Sequence, residues 1–160
     1  MIMENYNKLK DYIQRLIKGE KASSIAYSAI ENDDSEGLST LIDCGLSLRS
    51  DNFVFAAINS SASKCFDLLL EKNANILVGG RAYNGHSMFY AEPLEYAVII
   101  NNMDFAKKLV AHGAPLYTQG GIEILRKYRK YIGADNCDVL NNERAIYVRN
   151  HQLVVLCCVI

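Results

Sequence analysis

Three segments of this 160-residue chain repeat one another, and their shared punctuation limits the fold more than any other feature. Leu41-Ile42-Asp43-Cys44-Gly45-Leu46-Ser47-Leu48 parallels Leu69-Leu70-Glu71-Lys72-Asn73-Ala74-Asn75-Ile76, and both parallel Leu109-Val110-Ala111-His112-Gly113-Ala114-Pro115-Leu116. Each is an apolar pair, two variable residues, a Gly or Asn, a small or apolar residue, then another apolar residue two positions on. Gly and Asn accept the left-handed conformation that ends a helix. Fifteen positions before each lies a second matched feature, Ala29-Ile30, Ala57-Ile58 and Ala97-Val98, whose small residues let helices approach closely. The pattern predicts helix, tight turn, helix, turn, three times over. One such pair cannot bury its own apolar face, so the pairs must stack.

The spacing of the repeats is uneven. A short connector, Arg49-Ser50-Asp51, separates the first two units, and a long one from about Leu77 to Glu92 separates the second and third. Before the repeats, Tyr6, Leu9, Ile13, Leu16 and Ile17 fall at helical spacing with Gly19 as a stop, which predicts an N-terminal capping helix. After them, Gly120-Gly121 precedes a helix expected over Ile122 to Ile132, and Gly133 to Asn136 reads as a loop. The β-branched tail, Arg144–Arg149 and Leu153–Ile160 around Asn150-His151-Gln152, suits a C-terminal β-hairpin or a fourth helical pair. The expected architecture is a single mainly-α domain over 1–160. A cap occupies 1–22, a stack of antiparallel helical pairs 23–118, and a helix plus hairpin or capping element 119–160.

The units resemble ankyrin repeats over about Ser24 to Leu116. Pro93-Leu94-Glu95-Tyr96-Ala97-Val98 followed by Ala106 to Leu116 is similar to the opening and ending of that family's repeat. The first two units depart from it by lacking the Thr-Pro and the His. In all three, Asp33-Asp34, Ser60-Ser61 and Asn101-Asn102 replace Gly-His at the turn between helices. The resemblance implies a protein-binding scaffold and names no ligand.

A formal net charge of −1 argues against general nucleic-acid binding, which needs a basic surface to displace counterions. No stretch reaches the roughly 18 apolar residues of a membrane span, and the charged N-terminus is unlike a secretory signal. Five cysteines without a C-x-x-C pair read as reduced thiols, with Cys44 and Cys65 as small core residues, and a cytoplasmic setting is expected. His86, His112 and His151 match no catalytic or metal-binding motif. The glycine-rich stretch Val78 to Gly85 lacks the Lys-Ser/Thr of a phosphate loop. We therefore expect no enzyme, metal or cofactor.

The long connector is the strongest binding candidate. Arg81, Tyr83, His86, Met88, Phe89 and Tyr90 crowd it, and Tyr and Arg dominate binding hot spots because they bury much area with few rotors. The opposing reading folds Met88, Phe89 and Tyr90 back as a local core. A second candidate is charge. Glu31, Asp33, Asp34, Glu36, Asp43 and Asp51, with Arg49 the lone base from Ser23 to Asp51, form an acidic end suited to steering a basic partner such as a nuclease. A third is Cys157-Cys158-Val159-Ile160, which resembles a prenylation box with Cys157 as acceptor. Together these point to a module that binds and inhibits or recruits one protein, for example a bacterial immunity protein that neutralises a toxin domain. The alternative is an ankyrin-type effector delivered into eukaryotic cells, anchored to membrane only if lipidated at Cys157.

Overall fold

In a computed structural model of the chain, the repeat punctuation becomes backbone geometry. The structure describes residues 2–83, 87–118 and 121–157, with side chains described over 7–83, 87–118, 121–130 and 132–151. Three helical pairs form: α2 (Ala22–Glu31) with α3 (Ser35–Asp43), α4 (Phe53–Asn59) with α5 (Ser63–Glu71), and α6 (Pro93–Ile99) with α7 (Met103–Ala111). The second helix of each pair ends at Gly45 (φ 98°), Asn73 (φ 54°) or Gly113 (φ 92°), as the sequence predicts. The first helix of each pair also ends left-handed, at Asp33 (φ 48°), Ser61 (φ 54°) and Asn101 (φ 55°).

All six ends use one hydrogen-bond pattern, in which the left-handed residue and its successor donate to two carbonyls of the last turn. Gly45 N–H donates to Ile42 O at 2.9 Å and Leu46 N–H to Leu41 O at 3.0 Å. Asp33 N–H donates to Ile30 O at 3.0 Å and Asp34 N–H to Ala29 O at 2.9 Å. Ser61 and Ala62, Asn73 and Ala74, Asn101 and Asn102, and Gly113 and Ala114 repeat it. The two features that recur along the chain are thus one physical device used twice per pair. Ala29-Ile30 and its counterparts supply acceptors for the first turn, and Leu41-Ile42 and its counterparts supply them for the second.

The chain divides into two units, Met1–Gly80 and Arg81–Ile160, and the boundary falls inside the long connector. In the first unit, Ile25, Ala29, Ile30, Leu38, Phe53, Val54, Ala57, Ile58, Phe66 and Leu69 are fully buried. Ala29 and Ala57 sit where the sequence called for small residues. Truncating a core aromatic such as Phe66 to Ala costs about 3–5 kcal/mol in sites of this kind. Polar links tie the first pair to the second. Asp33 Oδ1 accepts the Cys65 N–H at 3.0 Å, Leu48 O accepts the Asn75 N–H at 3.1 Å, and the Tyr27 hydroxyl donates to Asn52 Oδ1.

The N-terminal helix, α1 (Ile2–Ile17), corrects one expectation. Ile13 and Ile17 do not join its buried face, while Leu9 and Leu16 are half-buried. Ile13 remains 48% exposed and Ile17 80%, while Tyr12 is buried. Tyr12 wins because the body offers it a fitted seat. Its hydroxyl donates to Asp34 Oδ2 at 2.9 Å. Gly37, in the first turn of α3, lies so close that a Cβ there would collide with the Tyr12 ring and the Asp34 carboxylate. The Tyr6 side chain lies outside the described residues.

In the second unit, α6 and α7 pack with α8 (Ile124–Cys157). Gly113 leaves room for this: a Cβ on it would lie 2.5 Å from Cζ of Tyr147 on α8. Leu125 and Ile132 are buried, as their spacing predicts, and so is Ile124; Ile122, expected on the same face, is exposed because α8 starts two residues later than expected. Gly133 (φ 81°) breaks α8 at the expected loop, but the chain returns at once to helix. The C-terminal hairpin therefore does not form, and Arg144–Arg149 is helical. The reason is a 3-4 spacing: Cys137 and Leu140 are buried, and Arg144 and Tyr147 continue that stripe half-buried. The chain is mainly helical, and its small hairpin lies in the long connector instead, as β1 (Gly80–Tyr83) and β2 (Met88–Ala91).

Candidate protein-binding surface

Alternation along the hairpin sorts the connector residues into two faces. In β1, Gly80 and Ala82 are buried and Arg81 and Tyr83 exposed. In β2, Met88 and Tyr90 are exposed, Phe89 is half-buried and Ala91 buried. Successive strand residues point to opposite faces, so Arg81, Tyr83, Met88 and Tyr90 share the outer one. Exposure is 63% for Tyr83, 62% for Met88 and 63% for Tyr90, a large area for three such side chains to leave in water. Phe89 faces the other way, its ring centroid 6.4 Å from that of Tyr96 on α6. Phe89 thus holds the hairpin to its helix. His86 lies outside the described residues. The sequence carried one signal for this hairpin, Asn84-Gly85 in the connector, which the β-branched tail outweighed.

A second exposed turn was not foreseen. Tyr117 and Glu123 form an isolated antiparallel bridge. Thr118 N–H donates to Ile122 O at 2.9 Å, and Gly121 (φ 75°) closes the turn. Tyr117 and Ile122 are both exposed. Its signal was Gly120-Gly121 followed by the β-branched Ile122.

The second unit is pinned by a buried carboxylate. Glu95 on α6 accepts both the Lys127 ammonium and the Tyr128 hydroxyl of α8, each at 2.8 Å on Oε1. The hydrogen bond to Glu95 pushes the Lys127 pKa up, and burial raises that of Tyr128. This pair fixes α8 against the helix that carries the hairpin.

The acidic candidates do not form one open patch. Asp33 spends a carboxylate oxygen on the Cys65 N–H. Asp34 caps α3, accepting the Gly37 N–H at 3.0 Å, while its other oxygen takes the Tyr12 hydroxyl. Burial, reinforced by Asp34, drives the Tyr12 pKa upward, and burial with Asp33 pushes the Cys65 thiol up to about 12. Glu36 is exposed in the first turn of α3. Arg49 is exposed and its carbonyl accepts Asn75 Nδ2 at 2.9 Å, and Asp51 is half-buried. Glu31 and Asp43 are also exposed.

Cys44 is exposed, not the core residue the sequence suggested, because it falls at the polar cap of α3. The buried thiols face backbone: Cys65 Sγ lies 3.9 Å from Ala29 O and Cys137 Sγ 3.9 Å from Leu125 O. His112 Nδ1 is 2.8 Å from Lys108 O, completing a helix end as expected, and His151 stacks on Tyr147 at 3.9 Å. Among the described residues no group of three or more His, Cys, Asp or Glu is placed to hold a metal ion, and no helix is long and apolar enough to cross a membrane. The Cys157 side chain lies outside the described residues. No protein-family model and no curated protein matches the chain.

Proposed function

We propose that the chain is a non-catalytic protein-binding module, built on paired helices of ankyrin type, that grips one protein partner through the outer face of its hairpin. The carrying observation is the division of labour in the connector. Phe89 anchors inward on Tyr96, while Arg81, Tyr83, Met88 and Tyr90 stand exposed on the other side. Rigid aromatics beside an arginine on a strand give large contact area at low entropic cost. An immunity protein that neutralises a toxin domain is the concrete form we favour. The exposed Glu31, Glu36 and Asp43 would steer a basic toxin surface toward the module.

The test is affinity capture from native cell extract with the full chain as bait, followed by calorimetry on the captured partner. Replacing Arg81, Tyr83 and Tyr90 singly by Ala should each weaken binding by about 1–3 kcal/mol, with the thermal unfolding midpoint unchanged. Unaltered affinity in all three would remove the hairpin from the interface.

A further inference from the structure

Two exposed turns leave the same end of the second unit. Ala91 of β2 is followed by Glu92, the N-cap of α6, and the Tyr117–Glu123 turn runs straight into α8 at Ile124. Glu95 in the first turn of α6 holds Lys127 and Tyr128 near the start of α8, so the two helices begin side by side. What this end shows to water is one-sided in charge. Tyr83, Met88 and Tyr90 on the hairpin and Tyr117 and Ile122 on the turn are exposed. So are Arg81 on β1 and Arg126, Arg129 and Lys130 at the start of α8, and none of these four cations makes an ion pair among the described residues. The carboxylates at this end are withdrawn: Glu92 and Glu95 are buried and Glu123 is half-buried. Of the exposed acids in this unit, Asp104 starts α7, and Asp135 and Asp138 follow the Gly133 break, so none lies on either turn or on the first stretch of α8.

We propose that this end takes an acidic, partly apolar segment of a partner protein. Its Asp and Glu side chains meet the four cations, and its apolar side chains cover Met88, Tyr90, Tyr117 and Ile122. Such binding rests on the hairpin face being the interface, as proposed above, and adds the turn and the start of α8 to it. Complementary charge sets the chemistry of the occupant, because exposed cations with no carboxylate of their own favour a partner that brings one. Three of them are met best by carboxylates, since the arginine fork matches a carboxylate in two hydrogen bonds. The acids invoked for steering belong to residues 1–80, so a partner that meets both presents patches of both signs. A single-stranded nucleic acid fits less well. Met88 and Ile122 offer no stacking face, and the net charge of −1 opposes phosphates over the rest of the chain.

The probe is a peptide of about twelve residues alternating Glu and Leu, titrated to about 1 mM into the isotope-labelled full chain and read by NMR. Amide shifts should saturate and fall on the two strands, the Tyr117–Glu123 turn and the first turns of α8. Arg81→Glu and Arg126→Glu should each weaken binding at least about fivefold while melting like the parent, since both side chains are exposed. Lys107→Glu, at an exposed site on α7, should leave it unchanged. An acidic peptide that does not saturate overturns the proposal. So does equal binding of a Lys–Leu counterpart, or tighter binding of an oligothymidylate of similar length. Affinity that Tyr90→Ala lowers and both charge reversals leave alone keeps the hairpin face and overturns the acidic partner. Indifference to Tyr90→Ala as well takes the hairpin out of binding altogether.

Discussion

Among the described residues, four that are not glycine hold left-handed backbone, and they differ in how well they suit it. Asn73 and Asn101 tolerate the conformation, as does Asp33, whose carboxylate also bonds across to Cys65. Ser61 is the least suited of the four. Ser61→Gly should therefore raise stability by about 0.5–1 kcal/mol, seen as a higher urea midpoint at unchanged slope. Gly113→Ala should do the opposite. It combines φ 92° with a Cβ pressed against Tyr147, and a loss of about 2 kcal/mol or more is expected in the same measurement. The left-handed Gly45, Asn73 and Gly113 were legible because Gly and Asn at a helix end have few other uses. Asp33 and Ser61 were not, because those residue types serve many turns equally well, and Asn101 sits in a pair of asparagines that leaves open which one ends the helix.

Among the elements, α1 shows how periodicity can identify a helix and misplace its buried face. Of the apolar residues at that spacing, Leu9 and Leu16 are half-buried and Ile13 and Ile17 exposed, while full burial went to Tyr12, which the pattern passed over. A single hydrogen bond and a missing Cβ decided it. That docking has a pH signature. Burial and Asp34 raise the Tyr12 pKa above its ordinary 10.0, so the folded form favours the neutral phenol. The associated stability is complete below pH 10 and is lost as pH rises beyond it. Cys65 acts in the same sense between its ordinary 9.0 and about 12. Thermal melts across pH 8–11 should show a steepening loss above pH 10, and Tyr12→Phe should flatten part of it while costing about 1 kcal/mol at neutral pH. An identical alkaline slope in the variant would assign the effect to Cys65 and to Tyr27, Tyr96 and Tyr128, which burial also shifts upward. The hairpin gives the complementary lesson. Its residues were recognised as a cluster, but not that alternation would send Phe89 inward and Tyr83, Met88 and Tyr90 outward.

Across the whole molecule, a net charge of −1 conceals an uneven distribution, with acids in excess in residues 1–80 and bases in excess in residues 81–160. If the partner is basic, as an immunity role implies, association should slow several-fold between low salt and about 0.5 M while dissociation changes little. Stopped-flow mixing at a series of ionic strengths measures this, and an association rate indifferent to salt would speak against electrostatic steering. The sequence by itself determined the three helical pairs and their boundaries. These rest on local backbone chemistry, a left-handed residue and the two carbonyls behind it, which neighbours along the chain supply. It also marked the connector as the place to look for binding. Only the tertiary structure decided which side of α1 is buried, that the tail stays helical, that Asp33 and Asp34 work inside the fold, and which connector side chains face water. Each of those outcomes depends on atoms brought together from distant positions: Gly37 under Tyr12, Tyr147 over Gly113, Cys65 beside Asp33, Tyr96 behind Phe89. Burial is settled by competition for such seats, and a one-dimensional pattern does not contain them.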